Sequence, residues 1–469
     1  MSFDPQSPYT FPADFFWGAA AASYQIEGAK HEGGKGESVW DMFCQRPGAV
    51  FGGHSGDVAC DHYHRYPEDT QLMGELGISA YRLSLSWPRL FPEGTGAKSQ
   101  MGFDFYDRLV DSLLKQGITP WMTLFHWDYP LSLMRRGGWL NRDSASWFAD
   151  YAGEVVAHFS DRVTNYFTLN EPQVYIGFGH AQGVHAPGFT LPMREWLLAG
   201  HHTLLGHGLA VAKMRAAACQ PIQIGYAPVG IPKLPAGPSE AEIELARRAT
   251  FSVSEPNTWN CAWWMDPVFL GKYPEQGLEF YGAAAPEPQA SDLEIISAPI
   301  DVFGVNIYQG AQVRPRTTAL GSASQGTADY EEIPYPAGDP RTAFNWPLTP
   351  DALYWGPRFF YERYNKPIVV TENGMSSRDW VARDGKVYDP NRIDFMVRYL
   401  RAFCRAIHDG VDARGYFHWS IMDNFEWAAG YRERFGLIHV DYETQKRTPK
   451  ESYYWYQQLI KSHGQIIGE

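Results

Sequence analysis

Eight short apolar runs of strand length recur along the chain, most of them separated by a stretch with helical spacing, and few folds accommodate that alternation. The runs are Phe15–Ala20, Ala80–Leu85, Thr119–Phe125, Thr164–Leu169, Ile222–Tyr226, Val302–Ile307, Pro367–Thr371 and Arg414–His418. Three intervening stretches show the helical period most plainly. From Asp104 to Gln116, Phe105/Leu109/Leu113 and Tyr106/Val110/Leu114 fall four apart and Gly117 follows; from Asp143, Trp147/Tyr151/Val155/Phe159 do the same. Near the C-terminus, Met396/Leu400/Cys404 and Tyr399/Phe403/Ile407 precede Gly410. Side chains four apart share one helix face, and glycine after the last turn suits a helix C-terminus. A further helix is expected over Asp351–Tyr364, with Thr349 as its cap and Pro350 in the first turn.

Apolar strands alternating with such helices predict a parallel sheet covered by helices, either open and doubly wound or closed into a barrel. The chain has neither G-x-G-x-x-G nor a Walker loop, which disfavours the nucleotide-binding open sheets. An α/β chain forming a single eight-stranded (β/α)8 (TIM) barrel is therefore expected over residues 1–469. The Gly/Pro/Ala/Thr-rich stretch Gln309–Pro347 shows no clear period, and a loop of that length in a compact enzyme is expected to wall or cover an active site.

Charge and cysteine usage narrow the partners. A net charge of −13 argues against nucleic acid or an anionic membrane surface, because both require clustered Lys and Arg. Five scattered cysteines without a C-x-x-C pair fit neither a disulfide framework nor a structural zinc site. With no signal-like N-terminus and no long apolar run, a cytoplasmic protein is expected. Aromatic residues make up 15% of the chain, including 17 Trp. Most such rings pack in cores, but indole faces also stack on the C–H faces of pyranoses.

The polar residues that end the strands carry the chemistry. The fourth run leads into Asn170-Glu171-Pro172, and the seventh into Glu372-Asn373-Gly374. The third ends in His126-Trp127-Asp128, and the eighth in His418-Trp419-Ser420, followed by Glu426-Trp427. Arg82 lies on the second, Asn306 and Tyr308 close the sixth, and Gln25 follows the first. In a barrel these ends meet on one face, where such folds place their active sites. Two carboxylates across one pocket suit glycoside hydrolysis, although spacing alone leaves other acid/base barrel enzymes open.

At these residues the chain resembles glycoside hydrolase family 1, the β-glucosidase family, along nearly its full length. The motifs are Asn170-Glu171-Pro172, Val369-Val-Thr-Glu372-Asn-Gly374 and Phe15-Phe-Trp-Gly-Ala-Ala-Ala-Ala-Ser-Tyr24-Gln25-Ile-Glu27. The resemblance implies a retaining exo-β-glucosidase, with Glu372 as nucleophile and Glu171 as acid/base, and no cofactor or metal. It assigns Gln25, His126, Asn170, Glu426 and Trp427 to the sugar hydroxyls, with Trp127 beside them. Trp419 would be the platform under the ring, Trp346 would flank the aglycone, and Phe435 would support the site with Asn306. Arg82 and the Tyr308 hydroxyl, if close to Glu372, would lower its pKa; Glu171 needs a less polar setting. Substrates implied are small β-glycosides or oligosaccharides, cellobiose among them. β-Galactosides and β-fucosides are further glycones, and some transglycosylation is expected. Glu426, with Glu433 and Phe435 after it, departs from the branch that takes phosphorylated sugars, since a carboxylate would repel the phosphate.

Two other readings carry less weight. His62-Tyr-His64 has metal-ligand spacing but lies between the first two strands rather than at a strand end. His201, His202 and His207 lie on one helix at spacings poor for shared ligation, so surface or packing roles are expected. A sugar-binding protein on an inactive scaffold would need the tryptophans but not both carboxylates.

Overall fold

The computed structural model describes residues 9–316 and 328–468. Its centre is a closed barrel of eight parallel strands: β1 (Phe16–Ala21), β2 (Ala80–Ser84), β3 (Thr119–Phe125), β4 (Asn165–Asn170), β5 (Gln223–Ala227), β6 (Val302–Asn306), β7 (Ile368–Asn373) and β8 (Ala413–Trp419). Every strand neighbours the next in the chain, and β1 closes on β8 with Gly18 opposite Phe417 and Ala20 opposite Trp419. The eight expected runs are these eight strands, displaced by a residue or two at their ends.

The principal helices outside the barrel are α1 (His62–Leu76), α2 (Gln100–Lys115), α3 (Asp143–Phe159), α4 (Met193–Ala217), α5 (Ala262–Leu270), α6 (Ala352–Tyr364), α7 (Pro390–His408) and α8 (Glu451–Lys461). In α2 the Ser99 hydroxyl caps the first turn by accepting from Gly102 N–H at 3.1 Å. Phe105, Tyr106, Leu109, Val110 and Leu113 are buried against the barrel, while Leu114 faces out. Each buried side chain contributes about 1.5–3 kcal/mol, so Leu109→Ala alone would cost about 2–5 kcal/mol. Gly117 and Gly410, which end two of these helical stretches, have φ of 74° and 102°, a left-handed conformation open to glycine.

Two expectations are corrected. Thr349 does not cap α6: its hydroxyl accepts from Gly310 N–H at 2.9 Å, and the N-cap residue Asp351 makes no side-chain cap bond. The hydroxyl instead anchors the segment after β6 to the start of α6. The stretch Gln309–Pro347 has structure of its own, since Ala311–Pro315 pairs with Lys233–Pro235 and with Tyr330–Glu332 in a three-stranded sheet. The rest of that expectation, residues 317–327, lies outside the described residues. Among the described residues no helix is long and apolar enough to cross a membrane.

An aromatic plug fills the lower barrel. Phe16, Trp121, Phe167 and Phe417 pack with ring centroids 5.2–5.9 Å apart in successive contacts. Neighbouring glycines make the room: a Cβ on Gly225 or Gly304 would stand 2.5 Å from the Phe167 ring. The Arg82 guanidinium lies over that ring at 5.5 Å, so the plug is the floor on which the polar upper layer rests.

Candidate active site

The strands that carry Asn170 and Glu372 lose regular pairing at their C-terminal ends. Pairing of β7 shifts after Val370 on both sides, leaving Glu372 opposite Asn306, and pairing of β4 with β5 shifts between Phe167 and Asn170. Such irregularities re-aim side chains and concentrate beside active sites. At Glu171 the backbone turns left-handed, with φ 49° and ψ 64°, and its N–H donates to Ala227 O at 2.9 Å. Pro172 lacks an N–H and opens the short helix Pro172–Ile176, so the chain reverses at the glutamate itself. Trp127 and Trp427 also have positive φ, 80° and 49°, and three such residues around one cavity mark a constrained site.

One hydrogen-bond network joins seven of the predicted residues. Arg82 Nη1 donates to Glu372 Oε1 at 2.6 Å while its Nη2 donates to Asn170 Oδ1 at 2.7 Å. The Tyr308 hydroxyl donates to Glu372 Oε2 at 2.7 Å. Asn306 Nδ2 donates to Glu171 Oε1 at 2.8 Å and to Asn170 Oδ1 at 3.0 Å, and its own Oδ1 accepts from the Thr371 hydroxyl at 2.5 Å. Because Asn170 Oδ1 accepts twice, its amide NH2 is left to donate to His126 Nε2 at 3.0 Å. Burial and the Arg82 charge hold His126 well below the usual imidazole range, so the ring is neutral and carries its proton on Nδ1.

The two carboxyls differ in environment. Burial and the charge of Glu372 push Glu171 well above the ordinary carboxyl range; Asn306 alone donates to it. Glu372 is also lifted by burial, against which Arg82 and Tyr308 pull down. This corrects the sequence expectation: both donors are in place, but they offset burial instead of lowering the pKa outright. The order is what matters chemically, with Glu171 the protonated partner and Glu372 the ionised one. Glu426, half-buried at the cavity wall and facing the Glu372 charge, is pushed up to about 8 by desolvation and that charge.

These groups face a cavity of about 690 Å³, lined among others by His126, Trp127, Glu171, Tyr308, Trp346, Glu372, Trp419, Glu426, Trp427 and Phe435. That volume is within the usual range of ligand sites. The other four predicted residues stand behind its wall. Arg82, Asn170 and Asn306 are buried supports, and Gln25 donates to Asn424 Oδ1, Phe425 O and Glu426 Oε2 at 2.9, 2.8 and 3.2 Å. Its Oε1 is buried without a protein partner, an acceptor available to a ligand hydroxyl. Trp419 stacks on His126 at 5.8 Å, Trp427 packs on Trp127 at 4.5 Å, and Trp346 stacks on Phe344 at 5.0 Å.

Sequence reasoning missed part of this wall. Val174 and Phe178, three and seven residues after Glu171, fall on its helical face and were open to a periodicity reading. Trp259, which packs on Phe178 at 5.0 Å, carries no motif that would single it out. His62 and His64 are accounted for by carboxylates: His62 Nδ1 lies 2.7 Å from Asp69, and His64 bonds Asp61 and Glu32. The three histidines of α4 are packing groups, buried against Asp292, Tyr273, Trp139 O and Thr168.

Comparison with known proteins agrees in extent. The family description Glycosyl hydrolase family 1 matches residues 7–465. The chain is similar to beta-glucosidase A of Acetivibrio thermocellus, 43% identical over 98% of this chain and the whole of that enzyme. It is 40% identical to a bifunctional beta-D-glucosidase/beta-D-fucosidase of Bifidobacterium breve, covering 97% of this chain and 98% of that one. Among solved structures, a family 1 β-glucosidase from Thermotoga maritima superposes with a TM-score of 0.88 at 41% identity, over 98% of this chain and all of that one.

Proposed function

The chain belongs to glycosyl hydrolase family 1, and from that premise we propose that it is a β-glucosidase that removes terminal non-reducing β-D-glucosyl residues with retention of configuration. The single observation that carries the reading is the unequal environment of its paired carboxyls. Glu372 is held ionised between Arg82 and Tyr308, whereas Glu171 is buried with one amide donor and kept protonated.

In the first step a Glu372 oxygen attacks the anomeric carbon, the bond to the aglycone oxygen breaks, and Glu171 gives that oxygen its proton. Glu372 is then esterified and uncharged, so the repulsion that raised the Glu171 pKa is gone. Glu171, now ionised, takes a proton from water, whose oxygen displaces Glu372 and regenerates both groups. An alcohol in place of water gives transglycosylation by the same route. Gln25, His126, Asn170, Glu426 and Trp427 are assigned to the sugar hydroxyls, with Trp127 beside them, Trp419 to the ring face and Trp346 to the aglycone side. Asn306 and Phe435 support them, and one catalytic domain over residues 1–469 is part of the same reading. β-Fucosides are expected as second substrates, on the strength of the B. breve relative, and β-galactosides by their near-identical shape. Five free thiols support a cytoplasmic location.

The test is turnover of p-nitrophenyl β-glucoside, β-galactoside and β-fucoside with EDTA present, beside Glu372→Gln. Activity lost in the variant supports the assignment; silence on all three moves weight to a sugar-binding protein without hydrolysis.

A further inference from the structure

Asp128 completes the strand end His126-Trp127-Asp128, and the reaction gives it no part. Its carboxyl is buried and does not line the cavity; Oδ2 accepts from the Ser23 hydroxyl at 3.2 Å. Ser23 is held in turn by Ser84, the last residue of β2. Ser23 N–H donates to Ser84 Oγ at 2.7 Å, and the Ser84 hydroxyl donates to Ser23 Oγ at 3.1 Å. Segments from the ends of β1, β2 and β3 therefore meet at one buried serine. Ser23 opens the short helix Ser23–Ile26, so Gln25 lies two residues beyond it, while His126 and Trp127 directly precede Asp128. Trp127 has a φ of 80°, a conformation that persists only where the residues around it are fixed. On one side of it Asn170 holds His126 at 3.0 Å; on the other Ser23 holds Asp128.

We propose that Asp128, in its uncharged form, is a positioning residue for glycone recognition: through Ser23 it sets the loop carrying Gln25 against the loop carrying His126. The inference rests on the β-glucosidase reading above and deepens it. Gln25 and His126 reach the sugar from different loops, so an error in the gap between the loops misplaces one hydrogen bond however well each side chain is held. The uncharged form follows from the surroundings. A buried carboxylate needs a cation or several donors. Asp128 faces hydroxyls instead, Ser23 at Oδ2 and Ser86 beside it, and Oδ1 has no protein partner. The cations nearby are taken, Lys35 by Asp41 at 2.9 Å and Arg89 by Glu27 at 2.9 Å. Burial, with the Glu27 charge adding to it, raises the carboxyl to about 8 against the Ser86 hydroxyl and the Lys35 charge.

The experiment measures kcat/KM for p-nitrophenyl β-glucoside and its monodeoxy analogues with wild type, Asp128→Asn, Asp128→Ala, Ser23→Ala and the double alanine variant. The fold of each is checked by its thermal transition. The ratio of glucoside to deoxyglucoside gives the worth of each hydroxyl, and Gln25→Ala and His126→Ala mark the hydroxyls those two residues read. At the marked hydroxyls the ratio is expected to fall about tenfold in Asp128→Ala and in Ser23→Ala, with no further fall in the double variant. Asp128→Asn, the neutral isostere, is expected to stay within about threefold of wild type. Ser23→Ala decides alone if Asp128→Ala fails to fold. Ratios left unchanged, or lowered equally at every hydroxyl, mean that the link only supports the fold and overturn the inference. An Asp128→Asn enzyme as damaged as Asp128→Ala overturns it too, because the charge would then be needed. A wild type silent on the glucoside removes the parent reading instead.

Discussion

Arg82 donates to Glu372 across 2.6 Å with both side chains almost wholly buried, and the same guanidinium holds Asn170. The planar fork therefore sets the distance between a carboxylate on β7 and an amide on β4, which a lysine cannot do. Arg82→Lys is expected to fold but to lose about 100-fold or more in kcat/KM. Arg82→Met leaves Glu372 buried without its cation and should cost about 3–5 kcal/mol of stability, read as a lowered Tm. An Arg82→Lys enzyme of near wild-type rate would show that the fork is not needed.

Glu372→Ala opens space at the face of the ring opposite the leaving group. Turnover of 2,4-dinitrophenyl β-glucoside should fall about 10⁴-fold or more and be restored by azide, giving the α-glucosyl azide, because azide attacks once without a second displacement. A β-configured azide, or no rescue at molar azide, would remove Glu372 from the nucleophile's role.

The alkaline limb of kcat/KM should belong to Glu171. Its pKa is raised, so it stays protonated above the ordinary carboxyl range, and rate falls as rising pH removes that proton. The acid limb is set by protonation of Glu372, and the two limbs report the coupled pair. Glu426, pushed up to about 8, would ionise in the same alkaline range, so two variants are compared on 2,4-dinitrophenyl β-glucoside. Glu171→Gln should abolish the alkaline limb and Glu426→Gln should keep it. The reverse pattern would transfer the titration to Glu426.

What could be read in advance divides by cause. The barrel and both glutamates were legible because the strands are largely apolar and, in the fourth and seventh, the polar residues follow at once, as in Ile368-Val-Val-Thr-Glu372. Asn306 and Tyr308 were legible by the same rule, and Arg82 as the charged residue inside the second run. The wall residues Val229 and Trp259 were not, since they lie beyond the strand ends in segments whose path depends on tertiary contact. The net direction of the Glu372 pKa was out of reach for another reason: its donors are visible in sequence, but the burial that outweighs them is a property of the closed barrel. Thr349 looked like a cap because hydroxyls before Pro usually are, yet Gly310 N–H took that hydroxyl first.

Behind the loop that carries Glu426, Trp427 and Phe435 lies a charge-balanced cluster of three carboxylates and three cations. Lys450 donates to Asp379 at 2.5 Å and to Asp423 at 2.7 Å, Arg434 donates to Asp423 at 2.6 Å, and Arg392 bridges Asp379 and Asp389. Five of the six have side chains 2% exposed or less, so solvent cannot compensate a missing partner. The charges of Lys450 and Arg392 hold Asp379 well below the usual carboxylate range against its burial, and Lys450 and Arg434 lower Asp423 against its own burial. A carboxylate whose folded pKa is depressed stabilises the fold above its unfolded pKa of about 3.9, and that stability is lost as pH falls toward the folded value. Lys450→Met should therefore cost about 3–5 kcal/mol at neutral pH and make the fall in Tm on acidification below about pH 4 shallower. Because Asp423 also accepts from Gly436 N–H at 3.0 Å, the same variant should loosen the loop and raise KM more than it lowers kcat. Adding Asp423→Asn to Lys450→Met removes the stranded charge and should recover part of the stability. Recovery of neither Tm nor KM in the double variant would mean that packing, not charge balance, holds this loop.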